Sequence, residues 1–359
     1  MSDEDKVKAT PGRKKRRDTM RRAALVTQVD EGPEPGALRE GRRRVLVAGA
    51  HRLVAVHLIE QLLADPNVEA VLAVTRGSCP PSLLGADPER FHFVSADLSK
   101  RRQVDNLFLL DRFRDKPFDT VVHLAFQGDP TGYTQRNHEF NVNSTKHMLE
   151  ASLRHLVGKY IFLSSDAVYR IGARGDYKVR EDAELNLDPT VHPILRDTID
   201  AEFICRAKMD DLETEVMVLR PSGVFGGGVV SGINLLFESN PPMLPVGFDP
   251  MINPTTKEHL SRDLLLALNL HGKGVYNVAG RTVGPLSKFL EERGIVARRV
   301  PGPALKMLNR AQRLLGKTRY HAGFNPRRLY YSLVLDDARF EKIFRTHASR
   351  VAIVSENAP

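Results

Sequence analysis

The chain has 359 residues, 42% hydrophobic and 27% charged, ordinary values for a globular protein with one large domain or two smaller ones. Its two cysteines, Cys79 and Cys205, exclude a disulfide framework and a cysteine-based metal site, which sets the expectation of a reducing, cytoplasmic location. Net charge is +9; residues 1–44 carry +5 of it, from 13 Lys/Arg against 8 Asp/Glu, and the small remainder does not mark a nucleic-acid binder.

In chain order, residues 1–43 are polar, rich in Arg, Gly and Pro, and without periodicity, and read as a disordered basic tail. Its densest part, "RKKRRDTMRR" at 13–22, is either a patch for anionic surfaces or a solvated tail. No apolar stretch follows it as a secretory signal requires, and no run anywhere reaches the roughly 18–20 apolar residues of a membrane span. From residue 44 short apolar strands alternate with helical patterns. Strands are expected over 45–47, 70–74, 91–94, 120–124, 160–163 and 215–219, with helices such as 56–64 and 143–156 between them. That alternation predicts an α/β fold, a doubly wound parallel sheet covered on both faces. Beyond residue 228 the alternation breaks down. A helix over 259–270 and a strand over 274–280 return to the sheet domain (44–228), and the rest of 229–359 forms a smaller lobe with helices over 287–293 and 303–315. The last of these carries apolar residues at Ala304, Met307, Leu308, Ala311, Leu314 and Leu315, with Lys306, Arg310, Arg313 and Lys317 among them. Such a helix either packs its apolar face on its own domain or lies on an anionic membrane or acidic partner.

The first strand runs into "VLVAGAHRLVAVHL" at 45–58. A dinucleotide-binding turn uses three glycines: for the bend, for the approach of the pyrophosphate and for close helix packing. Gly49 serves the first; Arg52 and Ala55 occupy the other two positions, and Leu53 is counted with Gly49 and Arg52 among the cofactor-binding residues. Arg52 either pairs with phosphate or fills the space phosphate would take. After the second strand come Thr75 and Arg76, with no acid to bind a ribose 2′-hydroxyl, which leans the reading from NAD toward NADP.

Further segments follow in a recurring order: "SADLSK" (95–100), "VVHLAF" (121–126), "NVNST" (141–145), "FLSSDAVYR" (162–170), "LRPSGVFG" (219–226) and "YNVAG" (276–280). Together these resemble the extended short-chain dehydrogenase/reductase family, of the NAD-dependent epimerase/dehydratase type, over about residues 44–344. The resemblance implies a Rossmann domain with a C-terminal substrate lobe. It implies that Asp97 and Leu98 lie by the adenine, that Leu124, Ala125 and Phe126 lie beside the nicotinamide ribose, and that Asn141, Ser164 and Pro221 belong to the cofactor site. Ser165 takes the substrate-orienting position. A homodimer through helices at about 143–156 and 193–208 is likewise implied.

The catalytic motif of that family is a Tyr-x-x-x-Lys, in which a lysine ammonium favours the phenolate one helical turn away. In "HPILRDTIDAEF" (192–203), aligned on Glu202, the tyrosine position is Ile194 and the lysine position Thr198. No tyrosine anywhere in the chain has lysine four residues on. Asp166, His192 and Asp197 are the candidate substitutes. The sequence therefore leads to a dinucleotide- or ligand-binding protein lacking the standard proton shuttle. The alternatives are an active oxidoreductase, epimerase or dehydratase acting on a nucleotide sugar or lipid-like carbonyl through an atypical acid/base, and a scaffold that binds no cofactor.

Overall fold

The computed structural model describes residues 33–115, 117–129, 132–173, 178–211, 213–320 and 326–350. The basic cluster at 13–22 lies outside the described residues. Seven parallel strands form one sheet in the order β3-β2-β1-β4-β5-β6-β7. They are β1 (Arg43–Ala48), β2 (Val68–Thr75), β3 (Phe91–Ser95), β4 (Thr120–His123), β5 (Lys159–Leu163), β6 (Glu215–Pro221) and β7 (Gly274–Val278). The order reverses beside β1, and β1 pairs with both β2 and β4 in register, Val45 opposite Val71 and Thr120. That reversal opens a crevice at the carboxyl ends of β1 and β4, the place where open α/β sheets hold ligands.

Helices cover both faces, which is why the strands are apolar without alternation. On one face α1 (Leu53–Ala64) and α5 (Lys257–Asn269) bury Leu58, Ile59, Leu264 and Leu268 against Val45 and Val47. On the other, α2 (Arg101–Phe108), α3 (Gln135–Arg154) and α4 (Pro193–Arg206) bury Val104, Met148 and Cys205 against Leu46, Ala48 and Tyr160. The segment Lys257–Val278 supplies α5 and β7 to this sheet and its covering layer. A separate apolar cluster, with Leu236, Phe237, Leu244, Phe289, Leu305 and Leu329, forms the core of the smaller lobe across the strand ends.

Three details correct the sequence reading. Helix α3 begins at Gln135, eight residues before the expected start at 143, because Thr134 and Asn137 form a capping box in a polar first turn. Residues 33–42, assigned to the disordered tail, belong to the folded body. Leu38 bridges Leu270, and Arg39 donates to the Thr120 hydroxyl at 2.6 Å and to the Asp119 carbonyl at 3.1 Å. In α6 (Gly302–Leu314) the apolar residues are split: Leu308 packs on the core of the smaller lobe and Ala304 is half-buried, whereas the rest of the stripe faces outward. Leu305, Asn309 and Gln312 are buried, Gln312 donating to the Pro241 carbonyl at 2.9 Å, while Met307 and Leu314 are exposed.

Candidate functional site

The turn after β1 is built for close approach. Gly49 has φ +90°, and a Cβ there would lie 2.6 Å from the Leu124 carbonyl carbon and the Ala125 nitrogen, so only glycine fits. Ala55 is fully buried, which shows a methyl accommodated at the third glycine position. Arg52 caps α1 and turns its guanidinium across the crevice, donating to the Phe126 carbonyl at 2.9 Å, with the Leu124 carbonyl more distant at 3.5 Å. Burial pushes this guanidinium below its usual pKa. Among the described residues no carboxylate pairs with it.

A largely apolar cavity opens beside Arg52 at the sheet's carboxyl edge. It gives a water molecule's centre about 130 Å³ to move in, well beyond the roughly 10–15 Å³ that one water needs. Phe126, Ser164, Ser165, Asp166 and Pro221 line it from the sheet side, and Tyr320 and Arg328 from the smaller lobe. Ile194 and Thr198 line it from α4. Ile194 is apolar and nearly fully buried; the Thr198 hydroxyl donates to the Ile194 carbonyl at 2.8 Å, a back-bond within the helix.

The candidate substitutes are differently placed. Asp166 reaches the cavity, but Arg328 grips both its oxygens, Nη1 donating to Oδ1 at 2.7 Å and Nη2 to Oδ2, while the Gly223 amide donates to Oδ2 at 2.8 Å. Asp197 is buried and points to α3. It accepts from the Tyr133 hydroxyl at 2.7 Å and the Asn141 amide at 3.0 Å, and pairs with His138 Nδ1 at 2.6 Å. Burial and the bond to Asp197 both push the Tyr133 phenol upward. His192 caps α4, its Nδ1 accepting from the Ile194 amide at 3.3 Å, and stands edge-on to Tyr133. Ser165 faces the cavity while accepting from the Ala167 amide at 3.1 Å.

Of the expected cofactor residues, Arg52, Phe126, Ser164 and Pro221 line the cavity; the others surround the strand ends outside it. Leu53 starts α1, and Leu98, Leu124 and Ala125 are buried. Thr75 is engaged by His51 Nδ1 at 2.6 Å. Arg76 is exposed, its guanidinium 4.4 Å over the Phe140 ring. Asp97 closes a local turn, accepting from the Ser99 amide at 3.0 Å and hydroxyl at 2.7 Å. Asn141 accepts from the Gln127 amide at 2.7 Å.

Behind the cavity lies a buried polar chain. The Ser164 hydroxyl donates to Glu202 at 2.8 Å, and Arg220 clamps both oxygens of Glu202. Arg220 also donates to the Tyr169 hydroxyl at 2.8 Å, which donates to Asn277 at 2.6 Å. Burial alone would lower the Arg220 pKa; the Glu202 carboxylate overcomes it and holds the guanidinium charged.

Set beside known proteins, a sequence model of the NAD-dependent epimerase/dehydratase family matches residues 45–234, more than half of the chain. The chain belongs to the NAD-dependent epimerase/dehydratase family. UDP-glucose 4-epimerase 2 of Oryza sativa subsp. japonica is 30% identical over 207 residues, 52% of this chain and 48% of that protein. The dTDP-D-glucose 4,6-dehydratase of Homo sapiens is 25% identical over 201 residues, 54% of this chain and 55% of that one. The matches span from about a third to a little over half the length of the curated relatives. In structure, UDP-glucuronic acid 4-epimerase from Bacillus cereus, solved with NAD, superposes with TM-score 0.60 at 18% identity, covering 84% of this chain and 90% of that one. The enzyme WbmH of Bordetella bronchiseptica, solved with NAD+, gives 0.62 at 17% identity, covering 87% and 96%. At such identities the likeness establishes the extended Rossmann fold of the family.

In this family member two cavity residues, Tyr320 and Arg328, escaped the sequence reading. They follow no helical spacing relative to the motifs, and the fold alone brings them to the cavity. Burial pushes the Tyr320 phenol upward, so it holds its proton at neutral pH.

Proposed function

We propose that the chain is a binding member of the epimerase/dehydratase family: it takes an anionic nucleotide ligand at its crevice and lacks the family's proton shuttle. One observation carries this reading. The two α4 positions that face the cavity, Ile194 and Thr198, hold a hydrocarbon and a hydroxyl tied to its own helix. Neither exchanges a proton near neutral pH.

The residues fit a diphosphate in two respects. Gly49 keeps the turn flush against β4, and α1 presents its amino terminus there, an end that favours anions. Arg52 adds a guanidinium bonded only to carbonyls among the described residues, so a phosphate would supply its missing counter-charge. A bound nicotinamide cofactor would bring redox capacity to the cavity; the residues around it supply binding and orientation through Ser164, Ser165 and Pro221. With no acid at Thr75 or Arg76, NADP is accepted at least as well as NAD.

The experiment is thermal shift and direct titration of the purified full chain with NAD+, NADH, NADP+ and NADPH, and with UDP- and dTDP-sugars. Ligand at 100 times its dissociation constant stabilises the fold by about 2.7 kcal/mol. Stabilisation without turnover is expected, and Arg52→Gln should weaken binding about tenfold or more. No shift with any of these ligands, or tighter binding by Arg52→Gln, overturns the reading. A second reading rests on Tyr320, a phenol that lines the cavity together with Arg328: burial raises its pKa, and the Arg328 guanidinium, which acts in the opposite sense, is the group that would let it serve as an atypical acid/base. Turnover of a nucleotide sugar that disappears in Tyr320→Phe would establish it.

A further inference from the structure

Helix α6 is organised in three faces. Leu305, Asn309 and Gln312 pack inward, Lys306 and Arg310 form an exposed basic flank, and Met307, Ala311 and Leu314 form an exposed apolar stripe that Leu315 extends. Met307, Leu314 and Leu315 are 68%, 82% and 70% exposed. A helix of this kind ordinarily buries its whole apolar stripe; here Leu305 and Leu308 pack on the lobe core together with the polar Asn309 and Gln312, and Met307, Ala311, Leu314 and Leu315 are left outside. The charge of the segment that contains the helix has one sign. Between Glu292 and Asp336 the sequence contains ten Lys/Arg and no Asp or Glu. Arg299, Arg319 and Arg328 reach acids elsewhere in the fold, Asp249, Asp129 and Asp166. Lys306, Arg310 and Lys317 make no ion pair with the described residues.

From this we infer that α6 is a docking surface for an anionic lipid bilayer, lying in the interface with Met307, Leu314 and Leu315 among the acyl chains and its basic flank at the headgroups. Apolar side chains outward, cations beside them and acids excluded are what such a surface selects. No helix among the described residues is long and apolar enough to cross a membrane, so the contact would be peripheral. A second copy of the chain is a poorer occupant. Two-fold pairing of this face would bring its basic flank near the same basic flank of the other copy.

The test is co-sedimentation of the full chain with vesicles of phosphatidylcholine alone and of phosphatidylcholine containing about a third phosphatidylglycerol, at low and physiological salt. Binding to the anionic vesicles alone, weakened by salt, is expected. Met307→Ser/Leu314→Ser/Leu315→Ser changes only exposed side chains, so the fold should survive, with an unchanged melting temperature as the check; vesicle binding should fall about tenfold or more. Lys306→Gln/Arg310→Gln/Lys317→Gln should weaken it roughly fivefold per cation engaged. Arg13→Gln/Lys14→Gln/Lys15→Gln/Arg16→Gln/Arg17→Gln should leave most of the binding in place. The inference fails if anionic vesicles are not bound at low salt, or if the folded helix variants bind as the parent does. Loss confined to the residue 13–17 variant also overturns it. So does binding of poly-L-glutamate but not vesicles, which would point to an acidic protein, or concentration-dependent dimerisation abolished by the apolar variant.

Discussion

The polar chain behind the cavity and the α4 wall in front of it lie on the same helix and differ in kind. Glu202 on α4 anchors Ser164 and Arg220 in a fully buried network, whereas Ile194 and Thr198, about two turns and one turn earlier, present nothing that titrates. The difference separates what holds the site's shape from what would perform its chemistry. A buried carboxylate–guanidinium pair cannot lose one member cheaply, because the other is left charged in a medium that solvates it poorly. A residue whose role is proton exchange carries no such structural penalty, so it can be replaced while the pocket persists.

Breaking the network should give the largest effect. Glu202→Ala strands Arg220 without its carboxylate and should cost about 3–5 kcal/mol in urea denaturation, with Glu202→Gln retaining part of the hydrogen bonding. A loss under about 1 kcal/mol would mean that the network does not hold the site.

Acid should act on the same foundation through His123. This ring is fully buried at the end of β4. Its Nε2 meets the Thr145 hydroxyl at 3.2 Å, and its Nδ1 has no hydrogen-bond partner among the described residues. Burial pushes its pKa down to about 3. The unfolded state takes up a proton below pH about 6.5 that the folded state refuses, so stability falls as pH drops from there toward 3. By pH 4 the loss attributable to His123 should reach roughly 3 kcal/mol. His123→Leu should flatten the stability-versus-pH curve by that amount; equal slopes for parent and variant would remove the assignment.

The smallest effect belongs to the wall. Thr198→Val deletes only the bond to the Ile194 carbonyl, so stability should move by less than about 1 kcal/mol, and ligand affinity by less than about threefold. A large loss of binding would show that the Thr198 hydroxyl contacts the ligand, and the distinction between wall and foundation would narrow.

Much of the fold was readable beforehand because the sheet is covered on both faces, and its strands therefore appear as uninterrupted apolar runs. The start of α3 was not, since Gln135–Glu139 is a polar turn whose signal is a cap and not a period. Nor was the docking of residues 33–42, where Arg39 bonds Thr120 and the Leu268 carbonyl, 81 and 229 positions away. For the site, Ile194 and Thr198 were singled out by the family resemblance anchored on Glu202, and both line the cavity. The partners of Asp166 and Asp197 were not singled out. Asp197 meets Tyr133, His138 and Asn141 only through the packing of α3 on α4.

By itself the sequence determined the strand–helix alternation, the glycine at the first turn and the lack of a tyrosine–lysine pair, all properties of neighbours along the chain. Only the tertiary structure decided that Arg328 immobilises Asp166, that Tyr320 enters the cavity and that α6 turns its apolar residues outward. These depend on which surfaces meet when distant segments pack. A helical period identifies the faces of a helix but not the one its neighbours will cover.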